Sequence, residues 1–308
     1  MKLEKKSKKK NSKIKSKNSH KNNSKQSKDK DDRKIWYGNG FDVLFGLMYL
    51  LEKFSDLCIP IQKPTVNILS FSIGYFCKDG VKNASKKEDY VFQIPQELIF
   101  VQNIKKCSKS NRFLCVPVFI GFDICISSGH MNILLIDNKE KNVYRFESYG
   151  KKGFTPRSLK PFIWFDENMK KWLKNNMPTY TYSAFLECPA IGPQEIEEIE
   201  ITNNLSTAIE NRTDPGGFCG VWSIYFIEYI LKNKNIPVKN AFQKMMKELK
   251  KQPRSIRTWI REYTKSIVDY RTIFINSIDK KYEYTPRHML WNIEIYNKIS
   301  SILEERMM

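Results

Sequence analysis

Histidine is scarce in this chain, with three residues at 20, 130 and 288 among 308 positions. Any chemistry that needs an imidazole therefore has few candidates. The seven cysteines, at 58, 77, 107, 115, 125, 188 and 219, include no Cys-x-x-Cys pair. With so little histidine beside them, neither a zinc site nor a disulfide framework is indicated. No stretch reaches about 18 uninterrupted apolar residues, so no membrane span is expected. No apolar segment opens the chain as a secretory leader would. These absences fit a reducing intracellular compartment, where a reactive thiol persists.

Residues 1–34 lack aromatic residues altogether and repeat Lys, Ser and Asn. They hold fifteen Lys/Arg against four acids, so +11 of the chain's +20 lies there and +9 is spread over the other 274 residues. Such a segment buries too little apolar surface to offset its ordering entropy, and a disordered tail is expected. Clustered lysines read equally as a localisation signal and as an arm for nucleic acid. The remaining residues, 35–308, are expected to form one domain, with a motif-bearing part at 113–232 and a helical part at 238–306.

Along that domain, Leu44, Leu47, Met48, Leu51 and Phe54 fall at helical spacing. Strands are expected at 66–73 and 90–94, a charged loop at 78–89, and a short helix at 96–104. The runs 113–122, 131–136 and 142–146 are rich in β-branched and aromatic residues and are separated by polar turns. A helix is expected at 165–176 and a strand at 179–186. Beyond 218 the chain reads as helical, over 221–231, 238–250, 253–278 and 286–306. The layout is α+β, a mostly antiparallel sheet between two groups of helices.

Asp214-Pro215-Gly216-Gly217-Phe218-Cys219-Gly220-Val221-Trp222-Ser223 is a turn-forming run that ends at a cysteine, followed by a segment apolar on nearly every face. A helix of that kind is buried at the centre of a domain. Cys219 then sits at its N-terminus, where free N–H groups and the dipole lower a thiol's pKa and receive a developing oxyanion. A purely structural buried cysteine is the commoner case. A nucleophilic thiol needs a base. His20 lies in the tail and His288 in an ordinary amphipathic helix. His130, just before the strand at 131–136, is left by elimination.

The strands at 131–136 and 142–146 should pair as a hairpin. With Asn138-Lys139 as a two-residue turn, Asp137 faces Glu140 and His130 faces Glu147, with Cβ atoms about 4.5–5.5 Å apart. A longer turn shifts the partner by two positions, still within reach of a side chain. Glu147 would orient the imidazole and stabilise its charged form. Glu187-Cys188-Pro189-Ala190-Ile191-Gly192-Pro193-Gln194 is heavily punctuated, and the Gln194 amide is a candidate second donor beside the Cys219 N–H in an oxyanion hole.

Gly129-His130, Phe146-Glu147, Gly192-Pro193-Gln194 and Gly217-Phe218-Cys219-Gly220-Val221-Trp222, in that order, resemble the superfamily of ubiquitin-like-protein (SUMO) proteases and adenovirus-type proteases. Thiol proteases of large DNA viruses are the nearest likeness. The resemblance spans roughly 113–232. It implies a papain-like α+β fold with cysteine on a central helix and the histidine and acid on a facing sheet; the helices expected at 238–306 are extra to it. It also implies a cysteine endopeptidase acting on peptide or isopeptide bonds after glycine, with no cofactor or metal. The implied partner is a protein with a Gly-Gly or Gly-x-Gly site, either a viral precursor or a ubiquitin-like modifier. The implied location is a host cytoplasm or nucleus, or a virion.

The chain departs from the SUMO-protease pattern at three places. Met131 follows the histidine where those enzymes carry Trp, so the substrate channel should be wider. Glu147 stands for the commoner Asp. Gln194 lies 25 residues before Cys219, and Asn211 and Thr213 are alternatives for its role. Two further readings stand beside the protease: an acetyltransferase using the same triad, and a nucleic-acid-binding or scaffolding protein with a degenerate protease fold.

Overall fold

Two long antiparallel strands, β4 (Phe113–Asp123) and β5 (Ser128–Asp137), form the spine on which the rest is arranged. In the computed structural model the described residues are 35–61, 72–78, 81, 84–94, 96–123, 128–150, 156–184, 190–203, 218–280 and 293–308. The tail at 1–34, nearly all of the strand expected at 66–73, and the Asp214–Gly217 turn lie outside them. So do His20, His288, Cys125, Cys188, Asn211 and Thr213.

Around the spine lie β1 (Leu57–Cys58), β2 (Ile73–Cys77), β3 (Tyr90–Gln93), β6 (Asn142–Arg145) and β7 (Thr181–Ser183). The path runs β3-β2-β4-β5-β6-β7, and β1 pairs with β4 off that path. As expected, most of the paired residues lie in antiparallel ladders. β2–β3, β4–β5 and β5–β6 are antiparallel, but β1–β4, β2–β4 and β6–β7 are parallel, so the sheet is mixed. The parallel neighbours arise because α-helical crossovers, not hairpins, join those strands to their partners in sequence.

The helices are α1 (Gly40–Lys53), α2 (Glu97–Ser110), α3 (Pro156–Asn176), α4 (Pro193–Asn203), α5 (Phe218–Lys232), α6 (Val238–Leu249), α7 (Ile256–Ile278) and α8 (Ile293–Met307). Alternation along β5 divides them between two cores. Met131, Ile133 and Leu135 join the apolar cluster containing α1, α5, α6, α7 and most of α8. Leu134 and Ile136 join the cluster containing α2 and α3. A strand's side chains point to opposite faces in turn, so one ten-residue strand serves two cores.

Helix α5 is the buried centre of the first core. Val221, Trp222, Ile224, Phe226, Ile227, Ile230 and Leu231 are all buried, as its apolar character on every side requires. Gly220 lies where α5 passes α1: a Cβ there would stand 2.8 Å from Val43 Cγ2. Its smallness serves helix packing, not room for a substrate. Asn39 caps α1, its side chain accepting from the Asp42 N–H at 3.0 Å.

Cys58 on β1 and Cys107 on α2 form a disulfide, with Cα atoms 5.8 Å apart. This corrects the expectation that no disulfide is present. The pair is 49 residues apart in sequence and meets only through packing of α2 on the sheet. Cys77, Cys115 and Cys219 are thiols outside any disulfide.

Candidate active site

The N-terminus of α5 meets the sheet where β5 begins. Cys219 is the second residue of α5, so its own N–H is among the first-turn donors that have no partner within the helix. The Cys219 side chain is 7 % exposed, and it hydrogen-bonds the His130 ring. The Met131 backbone N–H also donates to this sulfur. His130 stands opposite Ile120 of β4 and is buried. Its Nε2 lies 2.7 Å from Glu147 Oε1, which leaves Nδ1 as the ring nitrogen for the thiol.

The hairpin that brings His130 and Glu147 together is not the tight one expected. Asp137 pairs with Asn142, and Leu134 with Arg145, a shift of two positions. Asp137 Oδ1 accepts from the N–H groups of Lys139 (2.9 Å) and Glu140 (3.2 Å), and Lys141 takes a left-handed φ of 51°. This side-chain turn lengthens the loop. The ladder ends at Leu134–Arg145, and Glu147 reaches the imidazole diagonally. Gly150, at φ 74°, closes the turn through its N–H to the Glu147 carbonyl at 3.0 Å.

The electrostatics follow from who faces whom. Burial works against a charged imidazole, but Glu147 and the Cys219 sulfur outweigh it, and the His130 pKa is raised to about 10. Burial pushes the Cys219 thiol up, yet the imidazolium's charge, its hydrogen bond and the Met131 N–H reverse this, and the pKa is lowered. Thiolate and imidazolium are thus stabilised together. The His130 ring packs against Tyr149 (centroids 5.5 Å) and Phe162 (5.6 Å).

Gln194 is placed differently from expectation. Its Oε1 accepts from Ser148 Oγ at 2.7 Å, and its Nε2 donates to the Tyr149 hydroxyl at 3.0 Å. The Tyr149 hydroxyl donates in turn to Glu198 at 2.6 Å. Both ends of the Gln194 amide are thus engaged away from Cys219. The segment before it lies directly on the 148–150 backbone: Gly192 N–H donates to Tyr149 O at 2.8 Å and Gln194 N–H to Ser148 O at 3.0 Å. A Cβ on Gly192 would stand 2.1 Å from Ser148 O, so only glycine fits. Pro193 then starts α4, a position suited to a residue without an N–H.

Behind Glu147 lies a set of side chains that the sequence reading did not single out. Arg145 Nη1 is 3.3 Å from Glu147 Oε2 and 2.7 Å from Asn132 Oδ1. The other edge of the guanidinium engages Asp166 of α3 through Nε at 2.8 Å and Nη2 at 2.9 Å. The signal available was alternation: Arg145 and Glu147 are two apart and share a strand face. Among the described residues, no group of three or more His, Cys, Asp or Glu is arranged to hold a metal ion. Among the same residues, no helix is long and apolar enough to cross a membrane.

The chain matches no family model. A protein of Acanthamoeba polyphaga mimivirus, named as an ankyrin repeat protein, is 26 % identical over 258 residues, which is 79 % of this chain. The chain spans about a third of that relative's length, 33 %. The solved structure of ChlaDub1 from Chlamydia trachomatis aligns over 76 % of this chain and 93 % of its own, with 12 % identity and a TM-score of 0.34.

Proposed function

We propose that the chain is a cysteine hydrolase of the ubiquitin-like-protease type, with Cys219 as nucleophile, His130 as its base and Glu147 as the group that orients the ring. One observation carries this reading: Cys219, His130 and Glu147 form a continuous hydrogen-bonded line at the N-terminus of a buried helix. The Cys219 thiolate attacks the scissile carbonyl. The resulting oxyanion is received by the Cys219 backbone N–H and the positive end of α5. The imidazolium gives its proton to the leaving amine. Water then hydrolyses the thioester, with His130 taking the water's proton and returning it to the thiol. Glu147 keeps Nδ1 aimed at the sulfur throughout.

The substrate in this reading is a protein cut after glycine, at a Gly-Gly or Gly-x-Gly sequence. With only 7 % of Cys219 exposed, a carbonyl reaches the sulfur most easily on a residue without a side chain. Met131 stands where SUMO proteases carry tryptophan, and in this reading the glycine preference is looser than theirs.

The test has two steps. The full chain is treated with a glycine-terminated ubiquitin-like vinyl-sulfone probe and the labelled residue is mapped. A peptide library is then profiled for cleavage. Labelling at Cys219 and a glycine preference before the cut are expected. Labelling elsewhere, or a dominant bulky or charged residue at that position, would overturn the reading.

A further inference from the structure

Beneath the line from Cys219 to Glu147, the oxygen of Glu147 that does not face His130 is itself held. Oε2 meets Arg145 Nη1 at 3.3 Å, while Oε1 takes His130 at 2.7 Å and the Tyr149 N–H at 3.2 Å. Arg145 cannot swing, because every edge of its fork is used. Two bonds go to Asp166 and one to Asn132. Asp166 also accepts from the Tyr182 hydroxyl at 2.6 Å, and the guanidinium lies against the rings of Phe162 and Phe165. The side chains of Arg145 and Glu147 are fully buried, and that of Asp166 is 7 % exposed.

We infer that Arg145, anchored by Asp166 and Asn132, is a positioning residue that sets the Glu147 carboxylate on His130. This rests on the triad reading above and deepens it. The geometric need is clear from the hairpin. The β5–β6 ladder stops at Leu134–Arg145, so no strand pairing fixes the backbone at Glu147 against His130. A carboxylate past the end of a ladder has rotamers to choose from, and the Arg145 fork removes that choice by gripping Oε2. Burial makes the grip more valuable: a buried carboxylate with a single partner is unfavourable, and a second, cationic partner offsets its charge. A lysine would keep the charge, yet its single ammonium cannot span Asp166, Asn132 and Glu147 together.

Several titratable groups face the pair. His130 meets Glu147 from the 147–150 turn, Cys219 from α5 and the Tyr149 ring. Arg145 meets Asp166 from α3, with Tyr182 of β7 behind it.

The readout is alkylation of Cys219 by iodoacetate, mapped by mass spectrometry on the full chain. This anionic reagent is helped by the imidazolium, so its rate falls as His130 loses its proton, near pH 10 in the wild type. Arg145→Lys should lower that upper limb by about one unit, with the charge at the position unchanged. Arg145→Gln should lower it at least as far, although loss of a cation by its field alone would raise it. Glu147→Gln should lower the limb further, and adding Arg145→Lys to it should change nothing more, the signature of one residue acting through another. Thermal unfolding of each variant separates misfolding from mispositioning, and Arg145→Lys carries the test should Arg145→Gln not fold.

An unmoved limb in Arg145→Lys, a raised limb in Arg145→Gln, or a shift that adds in full to that of Glu147→Gln would overturn the inference alone. An ordinary thiol profile at Cys219 in the wild type would overturn the triad reading and the inference with it.

Discussion

Among the described residues, two buried arginines that meet carboxylates, Arg271 and Arg145, do different work. Arg271 of α7, 1 % exposed, engages Asp42 at the start of α1 and donates to the Ile35 carbonyl at 2.8 Å. Asp42 also accepts from the Tyr37 N–H at 2.7 Å. Those contacts weld residues 35–42 to α7. Arg145, 2 % exposed, shares its carboxylate Glu147 with an imidazole, which in turn faces a thiol. The residue types are the same, but here one partner titrates. A buried arginine–carboxylate contact is therefore scaffold or site machinery according to whether its acid also touches a group that gains and loses a proton.

The largest expected effect lies wholly on the site side. Cys219→Ala and His130→Ala should each lower turnover by about 10⁴-fold or more while the unfolding temperature stays near that of the wild type. A variant that keeps more than a hundredth of the activity would remove that side chain from the triad. On the scaffold side, Arg271→Met should destabilise by about 3–5 kcal/mol, since it leaves Asp42 buried without its cation. Urea unfolding reads the loss, and the molecules that remain folded should keep the wild-type pH profile for Cys219 alkylation. A moved profile would erase the distinction between the two arginines.

Glu147→Gln sharpens the same contrast. The wild-type iodoacetate profile should rise from the acid side at a pH below an ordinary thiol's, because the Cys219 pKa is lowered. It should fall through about 10, where His130 loses its proton. Without the carboxylate the imidazolium loses support, so the upper limb should drop by about two units. A profile unchanged in width would show that Glu147 does not act on His130. The smallest effect is expected at Gln194. Its amide is spent on Ser148 and Tyr149, so Gln194→Ala should lower turnover less than tenfold, against the roughly 10²–10³ of a lost oxyanion donor. It should cost about 1 kcal/mol of stability. A hundredfold loss of turnover would return Gln194 to the oxyanion hole.

Several elements were legible because one dominant pattern ran through them. The helical spacing at 44–54, the all-apolar run after Cys219 and the three β-rich runs at 113–146 became α1, α5, β4, β5 and β6 close to the expected bounds. Helix α4 was missed: Pro and Gly lead into it and glutamates crowd it, so nothing marked an apolar face. It is held instead by tertiary contacts, Glu197 accepting from buried Trp222 at 3.1 Å and Glu198 from Tyr149. Among the described residues of the strand expected at 179–186, Thr181–Ser183 are strand, and the helix expected at 96–104 ran on to Ser110. Packing against the sheet extends or ends such segments more than propensity does.

From the sequence alone came the shortlist of site residues. So few histidines made His130 nearly unavoidable as partner for a thiol at a helix start, and strand alternation put Glu147 within its reach. Tertiary structure decided what surrounds them. It turned the Gln194 amide to Tyr149, joined Cys58 to Cys107, and set Arg145 between Asp166 and Glu147. The physical reason is range. Periodicity and capping act over a few residues and leave a trace in the order of the chain. A hydrogen bond between side chains 21 or 46 positions apart exists only once the sheet and its helices have fixed where those side chains stand.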